Sequence, residues 1–316
     1  MLDRLRETDS ETDVAQQRRM RRRFRKGVFV VPSLLTTANI FCGFYSVMES
    51  LAGVEALAGN NILGATEHFD RAAINIAFSW LFDNLDGRIA RMAGATSEFG
   101  IELDSIADVL SFGLAPALLA YAWGYGQIDG LHKLAWAISF LFIICGALRL
   151  ARFNVQARQT KPDLPPKNPK VDKKAFVGMP IPAAGGLIAA IVHFSPTPIA
   201  HVNSFQFTAF GRALFISGKA YAVGLIVVVA CLSFLMVSTI RHSTFKWLSS
   251  RSQKPRMVIL LLALVVVGIW FYSHWLMLIF ATAYASHGVL AKLWSMIKPR
   301  RGVAEHAELE LDRKPQ

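Results

Sequence analysis

Four aspartates, with glycine and arginine beside them, interrupt an otherwise apolar stretch between residues 83 and 108. The spacing i, i+3, i+4, i+7 and i+8 places residues on one face of a helix. It occurs here at Asp83, Asp86, Gly87, Ala90 and Arg91. Asp104 and Asp108 are four residues apart and share a face of the next predicted helix. The pattern therefore predicts acidic faces on two consecutive helices.

The residues between these two helices favour a reversal of the chain. Gly94 and Ser97 are turn-forming residues within the stretch 92–99. A turn there folds the second helix back along the first, so that all four carboxylates converge. Such a group of oxygen ligands suits hard divalent cations, and two ions about 3.5–4 Å apart can clamp the attacking and leaving oxygens of a phosphoryl transfer. We therefore predict a site for two Mg²⁺ or Mn²⁺ ions.

The neighbouring residues indicate what this site would bind. Gly87 and Gly100 carry no side chain, so a phosphate or nucleotide can approach the helix backbone closely. Arg91 offers a planar fork of donors to phosphate oxygens. Pairing and capping at a membrane surface explains a single acid, but four aspartates deep in a bilayer cost on the order of 10 kcal/mol. A passive role is disfavoured, and the predicted substrate carries a pyrophosphate.

The composition indicates a membrane protein. Hydrophobic residues make up 53% of the 316 residues, and the mean hydropathy is +0.37. Eight apolar segments, most of which reach the roughly 20 residues that span a bilayer, occupy residues 30–53, 71–91, 101–124, 132–153, 177–195, 219–240, 257–273 and 275–294. The predicted fold class is all-α, a polytopic membrane bundle of about eight transmembrane helices. A single long helix over 257–294 is the alternative to the last two.

Charge is distributed unevenly along this chain, whose formal net charge is +12. Seven of the nine residues from 18 to 26 are basic, and their position before an apolar segment favours contact with anionic lipid over binding of nucleic acid. Loops rich in Lys and Arg alternate with loops that have few, which predicts that both termini and the aspartates face the cytoplasm. No acidic residue lies between Asp172 and Glu305, so carboxylate chemistry belongs to the first half.

The expected organisation has three parts. Residues 1–27 form a basic cytoplasmic tail, and residues 296–316 form a cytoplasmic C-terminal tail. Residues 28–295 form a transmembrane catalytic domain. A cytoplasmic loop rich in Pro and Lys interrupts this domain at about 154–176.

The pattern D-x-x-D-G-x-x-A-R-x8-G-x-x-x-D-x-x-x-D, with all eight fixed positions present, resembles the signature of the CDP-alcohol phosphatidyltransferase family. The resemblance implies a core of six shared helices, usually homodimeric, that transfers a phosphatidyl group from a CDP-linked lipid to an alcohol and releases CMP. By matching positions it implies metal ligation by Asp83, Asp86, Asp104 and Asp108, with Asp108 also the general base. It implies a CDP pocket formed by Asp83, Gly87, Ala90, Arg91, Gly100 and Asp104.

Further stretches look like the bacterial membrane-integral phosphatidylserine synthases, a branch of that family. They are residues 102–116, 146–154 and 176–184, together with Pro32 and 36–39, although Ser33 stands where Asn is common. This resemblance, which runs from about 28 to 195, implies CDP-diacylglycerol and L-serine as substrates and the bacterial inner membrane as location.

A serine acceptor needs a cation for its carboxylate. Arg149 and Arg152, at the cytoplasmic end of the fourth segment, are the candidates, and ordinary positive-inside anchoring is the alternative for both. Asn154 either donates to the substrate or caps the helix.

Three other functions compete with phosphatidyl transfer to serine. The acceptor could be glycerol 3-phosphate, inositol or its phosphate, or choline, because the residues identified so far do not define the acceptor pocket. Intramembrane aspartates also occur in divalent cation transporters, but here they cluster near one face and no inverted repeat accompanies them. A lipid-binding scaffold with a degenerate site is disfavoured by the intact motif.

Overall fold

The computed structural model describes residues 31–92, 94, 97–159, 178–201, 204–209, 212–238 and 273–287. Within these ranges the helices are α1 (Val31–Ala58), α2 (Ile62–Met92), α3 (Glu98–Tyr125), α4 (His132–Gln159), α5 (Ile181–Phe194), α6 (Gly218–Val237) and α7 (273–287). Two strands, β1 (Ser204–Ala209) and β2 (Arg212–Ser217), form an antiparallel hairpin in which Ser204 pairs with Ser217.

The predicted fold class, a polytopic membrane bundle of helices, is confirmed. Five described helices, α1 and α3 to α6, are long and apolar enough to cross a membrane. For α5 the span extends through the following turn to His201. The helix α2 has 31 residues, about 46 Å at 1.5 Å per residue, and carries the charged motif. The predicted segment 257–273 lies outside the described residues except for its last residue, and the two tails lie wholly outside them. The hairpin was not predicted.

The starts of α2 and α3 are set by side-chain caps. Asn61 Oδ1 accepts a 2.9 Å hydrogen bond from the Gly64 N–H, and Ser97 Oγ accepts one of 3.0 Å from the Gly100 N–H. Between α2 and α3, Gly94 has a φ of 59°, a left-handed conformation that glycine adopts without a steric penalty. Gly94 and Ser97 therefore take the turn and cap positions predicted from the sequence, and α3 returns to α2 at Asp83, Asp104 and Asp108.

The helix α3 changes pitch immediately after Asp108. Residues Val109–Leu114 form a π-helical turn, and the Ala115 N–H bonds to the Leu110 carbonyl. Pro116 has no N–H to offer the Phe112 carbonyl, four residues earlier. That carbonyl lies against Gly185 of α5, where an added Cβ would be 2.7 Å from the oxygen. A glycine is thus required where α5 crosses α3.

The core lies between paired helices. The helix α2 packs along α5, and α4 packs along α6. Large side chains with 0% exposure fill the interior, among them Phe69, Phe112, Trp123, Tyr125, Phe142 and Ile188. Close helix contacts of this kind, with small residues at the crossings, are typical of membrane bundles because van der Waals packing must hold the helices together.

One face of α1 is polar and buried. Thr36, Asn39, Ser46 and Ser50 follow one another at spacings of three, seven and four residues, with exposures of 5%, 0%, 0% and 0%. The carbonyl of Asn39 accepts hydrogen bonds from the hydroxyls of Ser79 on α2, at 3.2 Å, and Ser111 on α3, at 3.0 Å. This face joins α1 to the two helices that carry the aspartates.

Candidate active site

The two helices of the motif bring three carboxylates together. Asp83 of α2 and Asp104 and Asp108 of α3 each offer an oxygen, and these oxygens all lie within 4.8 Å of one another. Asp104 and Asp108 are one helical turn apart on α3, so both can face Asp83. Asp83 and Asp104 are half-buried, and Asp108 is 9% exposed.

Asp86 takes a different position from the other three aspartates. Its Oδ2 accepts a 2.8 Å hydrogen bond from the Thr36 hydroxyl of α1, and the residue is 4% exposed. It does not belong to the group of three that lies within 4.8 Å. The sequence predicted that four carboxylates converge, whereas in the structure α1 holds the fourth at the edge of the cluster.

The three carboxylates are better suited to binding a cation than to remaining charged without one. Among the described residues, Asp104 Oδ1 and Asp108 Oδ1 are buried oxygens without a hydrogen-bond partner. Two full charges 4.8 Å apart repel by about 3–4 kcal/mol at an effective dielectric constant of 20. Oxygens that are buried, unpaired and mutually repelling are the donors that Mg²⁺ and Mn²⁺ prefer. The donor set therefore fits the predicted divalent ions.

The small residues of the motif keep the helix surfaces open. A Cβ on Gly87 would meet the Arg91 guanidinium at 3.5 Å, so this arginine lies over the glycine. Arg91 is exposed, and Ala90 is partly exposed beside it. Gly100 lies in the first turn of α3, where its N–H is bound by Ser97. The Arg91 guanidinium thus lies over Gly87, interacts electrostatically with Asp104 and is exposed to a ligand.

The three residues predicted to bind the acceptor, Arg149, Arg152 and Asn154, differ in burial and in their contacts. Arg149 of α4 is partly buried, interacts electrostatically with Asp108 and with Tyr284 of α7, and has a buried Nε without a partner among the described residues. Arg152 is exposed. Asn154 donates a 2.9 Å hydrogen bond from Nδ2 to Ser105 Oγ, which links α4 to α3. Of these residues, only Arg149 has a described interaction with the aspartate cluster.

Sequence reasoning missed Thr36 and Tyr284 as site residues. A signal for Thr36 was present, because buried polar residues recur along one face of the apolar helix α1. Tyr284 carried no such signal. It approaches Arg149 only because α7, distant in sequence, packs next to α4.

Comparisons with known proteins are consistent with this site. The family model described as CDP-alcohol phosphatidyltransferase matches residues 29–216. A Helicobacter pylori protein named CDP-diacylglycerol–serine O-phosphatidyltransferase is 31% identical over 272 residues, which cover 86% of this chain and 94% of that protein. Proteins of the same name from Saccharomyces cerevisiae and Methanocaldococcus jannaschii are 36% identical over 159 residues and 42% identical over 113 residues. These alignments cover 50% and 36% of this chain, and 52% and 46% of the respective relatives.

Proposed function

The chain belongs to the CDP-alcohol phosphatidyltransferase family, and we propose that it transfers the phosphatidyl group of CDP-diacylglycerol to L-serine, giving phosphatidylserine and CMP. The observation that carries this proposal is the convergence of Asp83, Asp104 and Asp108 at the family's motif. The choice of serine is supported by the name of the Helicobacter pylori relative, whose alignment covers 94% of that protein.

The proposal assigns the motif residues to two tasks. Asp83, Asp86, Asp104 and Asp108 hold two Mg²⁺ or Mn²⁺ ions, which when bound supply charge neutralisation at the pyrophosphate. The CDP group lies along Asp83, Gly87, Ala90, Arg91, Gly100 and Asp104. Arg91, which lies over Gly87, donates to phosphate oxygens.

The reaction is a substitution at the phosphorus that carries diacylglycerol. Asp108 takes the proton of the serine hydroxyl as the serine oxygen bonds to this phosphorus. The bond from the phosphorus to the bridging oxygen breaks, and CMP leaves with the electron pair on that oxygen. Burial of Asp108 beside the other carboxylates supports this role, because the substrate hydroxyl then meets its base away from bulk water.

The serine acceptor is held through the negative charge of its carboxylate. Arg149 binds the serine carboxylate through charge-assisted hydrogen bonds, and its buried Nε supports a role other than contact with solvent. Arg152 and Asn154 remain weaker candidates. Arg152 is exposed, and the amide nitrogen of Asn154 already donates to Ser105.

The membrane setting follows from the charge pattern. We propose a homodimer in the bacterial inner membrane, with both termini cytoplasmic and the aspartates toward the cytoplasmic leaflet. In that position CDP-diacylglycerol enters sideways from the lipid, and serine enters from the cytosol.

An acceptor screen tests the proposed function. Purified protein is incubated with CDP-diacylglycerol, Mg²⁺ or Mn²⁺, and one of serine, glycerol 3-phosphate, inositol or choline, and both CMP and the lipid product are measured. We expect CMP release and phosphatidylserine only with serine, loss of both with EDTA, and recovery with an excess of either ion. Phosphatidylglycerophosphate in place of phosphatidylserine would overturn the acceptor, and full activity in EDTA would overturn the metal requirement.

A further inference from the structure

A second cluster of potential metal ligands lies at the other end of the bundle. Asp70 of α2, His193 of α5 and His274 of α7 each offer a ligand atom within 4.8 Å of the others. Asp70 precedes Asp83 by 13 residues on α2, which at 1.5 Å per residue separates them by about 20 Å. The two clusters are therefore separate sites, and the transferase reaction does not use this one.

The contacts within this cluster are close and involve three helices. His193 is 3% exposed, and its Nδ1 lies 2.6 Å from Asp70 Oδ1 while its Nε2 lies 2.9 Å from Ser273 Oγ. The rings of His193 and His274 stack with their centroids 4.1 Å apart. Asp70 has a side-chain exposure of 28%, and His274 is exposed. An ion can thus reach the buried imidazole from the surface.

The hydrogen bonds of both histidines resemble those of metal ligands. His274 Nδ1 lies 2.5 Å from the His193 carbonyl oxygen, which accepts only, so Nδ1 carries the proton and Nε2 keeps its lone pair. A ligating histidine usually donates its other N–H to a carbonyl or a carboxylate in this way. His193 directs Nδ1 toward Asp70, and its Nε2–H can make the equivalent donation to Ser273 Oγ at 2.9 Å.

We propose that Asp70, His193 and His274 bind a divalent transition-metal ion, with Zn²⁺ as the best fit. Two imidazoles with one carboxylate are a common set of protein ligands for Zn²⁺, whereas Mg²⁺ avoids nitrogen ligands. The ion joins α2, α5 and α7, which are far apart in sequence, and stabilises their packing at this end of the bundle.

Binding requires the exposed His274 ring to rotate out of its stack on His193, because a bound ion lies in the plane of each imidazole that ligates it. The adjustment between Asp70 and His193 is smaller. Zn²⁺ holds nitrogen and oxygen ligands at about 2.0–2.1 Å, so two ligands of a tetrahedral ion lie roughly 3.3 Å apart. Asp70 and His193 exchange their 2.6 Å hydrogen bond for shared coordination by separating less than one ångström. Ser273 stays close to His193 as a polar neighbour.

A zinc titration in excess Mg²⁺ tests the proposal, because Mg²⁺ occupies the aspartate motif and leaves the imidazoles free. Full-length protein is purified in detergent, stripped with a chelator and returned to Mg²⁺, and ZnCl₂ is titrated against a chromophoric chelator. X-ray absorption at the zinc edge then identifies the ligands. We expect one zinc per chain with imidazole scattering, and a higher thermal midpoint when zinc is bound.

Two variants and a matched control complete the experiment. His274→Ala and Asp70→Asn should each weaken zinc binding at least about tenfold. His132→Ala removes a histidine that is 57% exposed outside the cluster and should bind zinc like the wild type. All three must elute as monodisperse protein. No zinc uptake by the wild type, oxygen-only scattering, or unchanged affinity in His274→Ala would show that the cluster is only a hydrogen-bonded clasp.

Discussion

The Thr36 hydroxyl of α1 donates a 2.8 Å hydrogen bond to Asp86 Oδ2 of α2, across 50 residues of sequence. The two residues are 5% and 4% exposed, so no bulk water competes for this bond. Asp86 is therefore oriented by a helix that contributes no carboxylate to the motif.

The substitution Thr36→Val removes this donor and keeps the shape of the side chain. In the proposed site it leaves a buried carboxylate oxygen without its partner and free to turn from the metals. Loss of a hydrogen bond that orients a ligand typically costs 10- to 100-fold in metal affinity. We expect the Mg²⁺ concentration for half-maximal CMP release to rise at least about tenfold.

Thr37→Val is the matched control for that change. Thr37 is exposed, and its hydroxyl bonds to the Ser33 carbonyl within α1, at 2.8 Å. Its Mg²⁺ dependence should stay within twofold of the wild type. An equal shift in both variants would mean that Thr36 has no particular role toward Asp86.

Two substitutions distinguish the role of Asp108 as base from the metal ligation that it shares with Asp83. Asp108→Asn keeps the size of the side chain but cannot accept the serine proton, so phosphatidylserine formation should fall by at least about 100-fold while CDP-diacylglycerol still binds. Asp83→Ala should lose both transfer and nucleotide binding. The measurements are CMP release and equilibrium binding of labelled CDP-diacylglycerol. Near-normal turnover in Asp108→Asn would rule out its role as base.

The two arginines of α4 should differ in their effect on serine. Arg149 interacts with Asp108, whereas Arg152 is exposed. Loss of a charge-assisted hydrogen bond costs about 1.5–3 kcal/mol, so Arg149→Ala should raise the KM for serine roughly tenfold to a hundredfold and leave the KM for CDP-diacylglycerol nearly unchanged. Arg152→Ala serves as the control, with both constants close to the wild type. Unchanged KM values in both variants would mean that these arginines act only as positively charged residues that set the membrane topology.

The crossing of α3 and α5 gives a prediction about stability. A Cβ at Gly185 would lie 2.7 Å from the backbone oxygen of Phe112, an atom that cannot move without shifting α3 just beyond Asp108. Gly185→Ala should lower the free energy of unfolding by about 1–3 kcal/mol, measured as a lower thermal midpoint in detergent. At Gly186 an added Cβ meets nothing within 4 Å, so Gly186→Ala should not lower the midpoint. Equal midpoints for the two variants would contradict the close crossing.

Several elements were predictable because their causes are local. The apolar segment predicted at 101–124 is observed as the helix Glu98–Tyr125. Ser97 caps the start of this helix, and Gly94 adopts a turn conformation, as their residue types suggest. The hairpin of β1 and β2 was not predicted, because short strands after α5 leave no signal comparable to a membrane-length apolar segment.

The sequence by itself determined the helical membrane class and the acidic motif, because apolar length and the 3.6-residue period act within a single helix. Only the tertiary structure decided that Asp83 meets Asp104 and Asp108 while Asp86 turns to Thr36. It alone also brought Tyr284 toward Arg149, and Asp70 and His274 to His193. These contacts join residues on different helices, and such neighbours depend on how the helices pack, which the period of any one helix does not specify.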